Sequence, residues 1–337
     1  MRIYTEKLLE EKLSTLPTKQ RFCFHNLMAY LNAPNDLRVF SLSGLPNTGK
    51  TTLMLQAINE INDLDNCLFI ACNKNDDFQQ LREVLDSHPK CKYIFVDNFT
   101  LLSGLGRSSA LSDYYTYFDH KIVLAGDNPF AFLELRANEL LDRMHMYSTT
   151  YISFSEFTTI TEKGLQNYIQ TGSPFEDITR LTENQQFLQM LDYVSKSYFS
   201  DQADTDSNIL DLIDSYRKAE ILAQCNKTYV FTQPWMIYKY GISKNMKVNF
   251  VTDCILQNIV FLDQYIKYNN RDIIVRKYSD LILKENLIAE KTIIYKIGNE
   301  SKQISPVMLQ KIEKKTGTSI QDIKQITMKN ADKLLLE

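Results

Sequence analysis

The sequence predicts an α/β protein: a three-layer domain on a mainly parallel sheet, then a mostly helical middle region, then a smaller α/β region. Three observations predict it. Between Leu37 and Phe157, short apolar runs of strand length alternate with segments of helical apolar spacing, the pattern of a parallel sheet covered by helices. One of those runs passes through a glycine-bearing turn straight into a helix, at "GLPNTGKT". The alternation gives way to helical spacing up to about Ile242 and resumes from about Ser243. The regions are read as 1–157, 158–242 and 243–337.

The elements follow in order. "EKLLEEKLSTL" and "RFCFHNLMAYLN" have helical apolar spacing. "LRVFSLSG" (Leu37 to Gly44) reads as a buried strand. "KTTLMLQAINEIND" is a helix with Leu53, Leu55 and Ile58 inward. "CLFIACN" is a strand, and "DDFQQLREVLDSH" a helix that Asp76 or Asp77 can cap. "YIFVDN" is the next strand, followed by a loop that becomes helical in "GLGRSSALSDYYTYFDH". "KIVLAGDN" is a strand, "FAFLELRANELLDR" a helix and "MYSTTYISF" a strand. In the middle region "FSDQADTDSN" reads as a loop, and "KTIIYKIG" is the clearest strand of the last region.

Composition excludes several classes. A chain of 337 residues with 44% hydrophobic and 23% charged residues is an ordinary globular protein, neither disordered nor fibrous. The net charge of -3 gives no chain-wide basicity toward nucleic acid. Residues 241–337 do hold 16 Lys+Arg against 11 Asp+Glu. That local excess is compatible with DNA, but a solvated lysine-rich surface is the preferred reading. The six cysteines form no CxxC pair, so a zinc site or disulfide framework is not expected. "MRIYTEKLLEEKL" has acids and no apolar core, unlike a signal peptide, and no apolar run reaches the length of a membrane span. A cytoplasmic location without a membrane fits this usage. His25, His88, His120 and His145 have no ligand spacing among them.

"GLPNTGKT", Gly44 to Thr51, satisfies G-x-x-x-x-G-K-[ST]. Gly44 and Gly49 permit a tight turn whose N–H groups face phosphate oxygens. Lys50 supplies charge to the β- and γ-phosphates, Thr51 a hydroxyl for magnesium, and the following helix its positive end. The expected nucleotide-binding set is Gly44, Leu45, Pro46, Asn47, Thr48, Gly49, Lys50, Thr51 and Thr52. With only 10 glycines in the chain, a chance match is remote. The domain is therefore read as a P-loop NTPase. Asp97 ends a strand one βα unit downstream, where an acid orders the magnesium, so Thr51 and Asp97 are the expected metal ligands. Asn98 follows it. Asp127 and Asn128 end the next strand, where a polar side chain orients the attacking water or senses the γ-phosphate; a turn before Pro129 is the alternative.

The motif order "GKTTLM", "IFVDN", "VLAGDN", "LLDRMHMYSTTYISFSEF" resembles the prokaryotic AAA+-type ATP-binding proteins of the archaeal-ATPase-like kind, which carry a C-terminal restriction-nuclease-like domain, often degenerate. "YIQTGSPFED", "NKTYVFTQPWMIY" and "CILQNIVFLDQYI" are similar to later stretches of that family. The resemblance implies an AAA+-like fold, the cofactors ATP and Mg2+, and a homo-oligomer or protein partner. Counted back from "SFSEF", Arg143 falls at the arginine of the family's Gly-Arg pair. There the resemblance implies an arginine reaching the γ-phosphate of its own or a neighbouring subunit's nucleotide; an ion-pairing arginine at a helix end is the alternative. Three departures stand out. Asn98 replaces the Walker B glutamate, Asp142 replaces the glycine before Arg143, and residues from Ser243 lack the family's "EVDF" strand and Glu-x-Lys signature. Glu156 reads as a helix-start residue near Ser153 or Ser155, and Trp235, Tyr229 and Tyr238 as core aromatics.

These observations lead to a slow Mg-dependent ATPase in which Asp97, Asn98, Asp127, Asn128 and Arg143 are the candidate catalytic residues. Two alternatives stay open: a hydrolysis-deficient ATP-binding switch, and a DNA-associated ATPase component.

Overall fold

The computed structural model describes residues 1–171 save Thr5, Asn47 and Phe118, and beyond them residues 214, 222–225, 228–232, 234, 237–238, 241, 245, 247–268, 273–275, 280–285, 291–297, 305–316, 319–331 and 333. The chain divides into two compact units, Met1–Thr150 with 218–220, and Tyr151–Arg217 with 221–337.

In the first unit the elements are β1 (Arg2–Tyr4), α1 (Glu6–Leu13), α2 (Phe24–Asn32), β2 (Val39–Ser43), α3 (Lys50–Ile61), β3 (Cys67–Ala71) and α4 (Phe78–Ser87). They continue as β4 (Tyr93–Asp97), α5 (Leu111–Tyr117), β5 (Lys121–Gly126), α6 (Pro129–Glu134) and β6 (Met144–Ser148). The strands form one sheet in the order β1-β3-β4-β5-β2-β6. From β3 to β6 every pairing is parallel, and only β1 runs antiparallel, at the edge beside β3.

Alternation along the strands builds two cores. Val39, Leu68, Ile70, Ile94, Val96, Ile122 and Leu124 point to one face and pack with Leu81, Leu111 and Phe132 of α4, α5 and α6. Phe40, Leu42, Phe69, Phe95, Val123 and Ala125 point to the other, against Leu9, Leu27, Met54 and Ile58 of α1, α2 and α3. Every residue of β2 and β5 is buried, and burial on both faces explains the near-continuous apolar run of β5. The unit is the expected three-layer α/β fold of the P-loop class.

Several expectations change in detail. β1 is a strand that no sequence pattern announces. Asp77 rather than Asp76 caps α4: its Oδ1 accepts from Gln80 N at 2.9 Å, and Gln80 Oε1 accepts from Asp77 N at 3.0 Å, a reciprocal capping box. The helix expected through Arg143 ends at Glu134 in a π turn over Leu135–Glu139. Leu141 (φ 48) and Asp142 (φ 64) then lie in the left-handed region, which no right-handed helix continues through. The strand expected over "MYSTTYISF" stops at Ser148.

The second unit begins with α7 (Phe154–Thr161) and α8 (Leu165–Thr171). Ser153 caps α7, accepting from Glu156 N at 3.1 Å, so Glu156 is a buried helix-start residue as expected. β7 (Leu222–Cys225) and β8 (Thr228–Phe231) form an antiparallel hairpin within the stretch read as mostly helical. Trp235 and "FSDQADTDSN" lie outside the described residues. After α9 (Val248–Tyr268), strands β9 (Ile273–Val275), β10 (Asp280–Glu285) and β11 (Lys291–Ile297) pair antiparallel in turn. Helix α10 (Pro306–Thr316) leads to β12 (Ser319–Ile326), parallel to β11. Among the described residues no helix is long and apolar enough to cross a membrane.

Candidate functional site

The parallel sheet brings the C-terminal ends of β2, β4 and β5 to one edge. The loop 44–49 leaves β2 there and enters α3. Gly44 sits at φ 144, and a Cβ on it would stand 2.6 Å from Thr149 Oγ1 and 2.8 Å from Thr150 Oγ1. Only glycine fits that approach. Gly49, at φ 88, is the left-handed residue before the first turn of α3. The loop is tied to the residues after β6: Leu45 N donates to Thr150 Oγ1 at 3.0 Å, and the Thr48 and Thr149 hydroxyls pair at 2.5 Å. Asn47 lies outside the described residues, while Pro46 is exposed and Thr52 half-buried in α3.

Lys50 is buried, with 7% of its side chain exposed. Its Nζ donates to the carbonyls of Gly44 at 2.9 Å and Leu45 at 2.8 Å, and lies 2.6 Å from Asp127 Oδ1. Thr51 Oγ1 donates to Asp97 Oδ2 at 2.8 Å. The two residues expected to hold a metal thus meet, although 46 positions apart in sequence. Both offer hard oxygen donors, which fits magnesium. Burial pushes the Asp97 carboxyl above its ordinary range; hydrogen bonds from Thr51 and from the Asn98 amide, together with the Lys50 charge, oppose it, and Asp127 adds to the rise.

Asn98 is half-buried and left-handed, at φ 56. Its backbone N donates to Asp97 Oδ1 at 3.0 Å, and it opens the 3-10 turn Phe99–Leu101. Asparagine is among the few residue types at ease there. A glutamate at this position would carry backbone strain, so the residue type is matched to the turn.

Asp127 and Asn128 separate. Asp127 is at the loop, while the Asn128 side chain caps α6, accepting from Ala131 N at 3.2 Å. That bond gives Asn128 the turn role left open in the sequence. Arg143 does not join the cluster. It precedes β6, its carbonyl accepts from Val39 N, and its side chain is exposed. In the parallel β2–β6 register, Val39 faces Met144 and Ser43 faces Ser148. Arg143 is therefore at the opposite edge of the sheet from the loop, ~16 Å away along five strand residues. The alternative in which it serves its own nucleotide is corrected on that ground. Asp142, where the family pattern has glycine, keeps a left-handed backbone and accepts from Arg136 Nε at 2.8 Å.

Sequence reasoning missed Arg21, Thr149 and Thr150, which brace the loop from distant segments and carry no spacing signal. It also passed over Asp322 and Lys324, an exposed acid-x-lysine pair on β12. Among the described residues no three His, Cys, Asp and Glu side chains gather to hold a metal.

A family model described as an AAA domain matches residues 36–158, just over a third of the chain. No curated protein matches it. The chain is similar to the solved structure of a Walker-type ATPase of Pyrococcus abyssi (13% identity, covering 66% of this chain and 98% of that one, TM-score 0.41). It is also similar to the RuvB Holliday junction branch migration motor of Thermotoga maritima (16% identity, 72% and 95% covered, TM-score 0.35). A third similar structure is AMPPCP-bound DnaA from Aquifex aeolicus (12% identity, 76% and 91% covered, TM-score 0.33).

Proposed function

We propose that the first unit binds ATP with Mg2+ at the loop 44–51 and hydrolyses it slowly, and that the nucleotide state changes contacts with a partner or with further copies of the chain. The observation that carries this reading is the contact of Thr51 Oγ1 with Asp97 Oδ2 at 2.8 Å, beside the buried Lys50. The AAA-domain match over 36–158 supports it.

In this reading the loop amides and Lys50 hold the phosphates, and Thr51 and Asp97 hold the metal. When held by Thr51 and Asp97, Mg2+ would offset the negative charge of the phosphates. Asp127 stands beside Lys50, so its carboxylate is the group placed to orient water there, with the Asn98 amide as the weaker candidate. Arg143, exposed at the far edge, serves a neighbouring copy's nucleotide. A complementation test addresses that: Lys50→Ala and Arg143→Ala chains, each inactive alone, would regain activity when mixed.

The test of the main reading is phosphate release. Wild-type protein should release phosphate from ATP only with Mg2+, and Asp97→Asn and Lys50→Ala should abolish release. The favoured second reading is a hydrolysis-deficient switch, motivated by Asn98 in place of an acid. Stable ATP binding without release would select it. DNA association through residues 243–337 rests on their 16 Lys+Arg against 11 Asp+Glu. A gel shift without binding even at low salt removes it.

A further inference from the structure

Arg21 comes from the segment between α1 and α2, yet its guanidinium is buried at the phosphate loop, with 6% of the residue exposed. Its Nη1 donates to Thr48 O at 2.7 Å and to Thr149 O at 3.0 Å. The segment that delivers it is pinned separately. Gln56 Nε2, on α3, donates to Pro17 O at 2.8 Å and Lys19 O at 3.0 Å.

The bond to Thr48 O fixes one particular peptide plane. No described peptide bond is cis. In a trans peptide the C=O of one residue and the N–H of the next point in opposite directions. With the Thr48 carbonyl held toward Arg21, the Gly49 N–H is turned to the opposite side of that peptide plane. Without an anchor this plane is the one freest to flip, because glycine accepts either sign of φ at little cost. A flipped plane would present a carbonyl oxygen to phosphate in place of a donor. A cation on the carbonyl also polarises the peptide, which strengthens its N–H as a donor.

We infer that Arg21 is a positioning residue for phosphate recognition: through Thr48 O it holds the Gly49 N–H toward the nucleotide's phosphates. This rests on the nucleotide-binding reading above.

The test uses the full chain, 15N-labelled at glycine, with MgADP as the probe. Ten glycines give a small set of amide resonances. Wild-type protein should bind and shift the Gly49 resonance strongly. Arg21→Met keeps the apolar stem and removes the donor. It should raise the MgADP dissociation constant about tenfold or more and leave the Gly49 resonance nearly unmoved at saturation. Arg21→Lys, which restores a cationic donor, should return affinity to within about threefold of wild type. Gln56→Ala, which frees the same segment without touching the loop carbonyl, should change affinity less than about threefold. If Arg21→Met does not fold, Arg21→Gln replaces it, with a loss of about threefold to tenfold expected.

Wild-type affinity and Gly49 shift in a folded Met or Gln variant overturn the inference. So does an Arg21→Lys chain as weak as Arg21→Met, or a Gln56→Ala loss equal to that of Arg21→Met. Failure of the wild-type chain to bind MgADP overturns the nucleotide reading itself, and this inference with it.

Discussion

Lys50 Nζ lies 2.6 Å from Asp127 Oδ1 while donating to two loop carbonyls. An ammonium has three donors, so these three oxygens use its full capacity. An incoming phosphate must displace at least one of them. Asp127 is the exposed competitor, with 46% of its side chain accessible.

Asp127→Asn is therefore expected to act in two directions. Removing the competing charge should tighten Mg-free ADP binding by about twofold to fivefold, the scale of a partly exposed ion pair. If the carboxylate also orients water, phosphate release should fall by about 100-fold or more. Fluorescence titration and a release assay on the same preparation separate the two. Weaker ADP binding in the variant would contradict the competition.

Asn98 allows conformation and chemistry to be separated. Asn98→Glu places a carboxylate directly after Asp97, in a left-handed backbone at φ 56. It should cost about 1–2 kcal/mol of stability and raise turnover. Asn98→Gly keeps the turn and removes the amide, so thermal stability should hold while turnover falls. Unchanged turnover in both variants would mean that position 98 does not limit hydrolysis.

A pH effect is expected at the opposite sheet edge. Asp36 accepts from Arg38 Nε at 2.7 Å and bonds His145 Nε2 at 2.8 Å. Burial alone would raise its carboxyl, but the bonds from Arg38 and His145 outweigh that and hold it below the ordinary value of 3.8. A carboxyl lowered by folding stabilises the native state above its unfolded pKa, and that stability is lost as pH falls through the folded value. Asp36→Asn should therefore lower the unfolding free energy by about 1–3 kcal/mol near neutrality, the scale of charged hydrogen bonds. The difference from wild type should shrink below pH 3.8. Urea unfolding at about pH 7 and about pH 3, on either side of that range, measures it.

The layers and the phosphate-loop motif were legible because each rests on local chemistry. Two-sided burial writes apolar runs, and the loop needs Gly44, Gly49, Lys50 and Thr51 in that order. What escaped depends on contacts between distant segments or on backbone strain. Arg2–Tyr4 is too short to show alternation, and pairing with β3 alone makes it a strand. The apolar period runs past Glu134 without a break, but Leu141 and Asp142 turn left-handed with no glycine or proline to announce it. Arg21 is one arginine in a polar stretch, and only the fold brings it 2.7 Å from Thr48 O. Arg143 was placed by motif order, which says nothing about which end of a strand faces the loop.

The most direct test of the central claim is an equilibrium titration of the purified chain with a fluorescent ATP analogue, with and without Mg2+. Saturable binding that tightens with Mg2+, loses that tightening in Thr51→Val and Asp97→Asn, and disappears in Lys50→Ala is the predicted result. No saturable binding by the folded wild-type chain, or binding indifferent to Lys50→Ala, would contradict it.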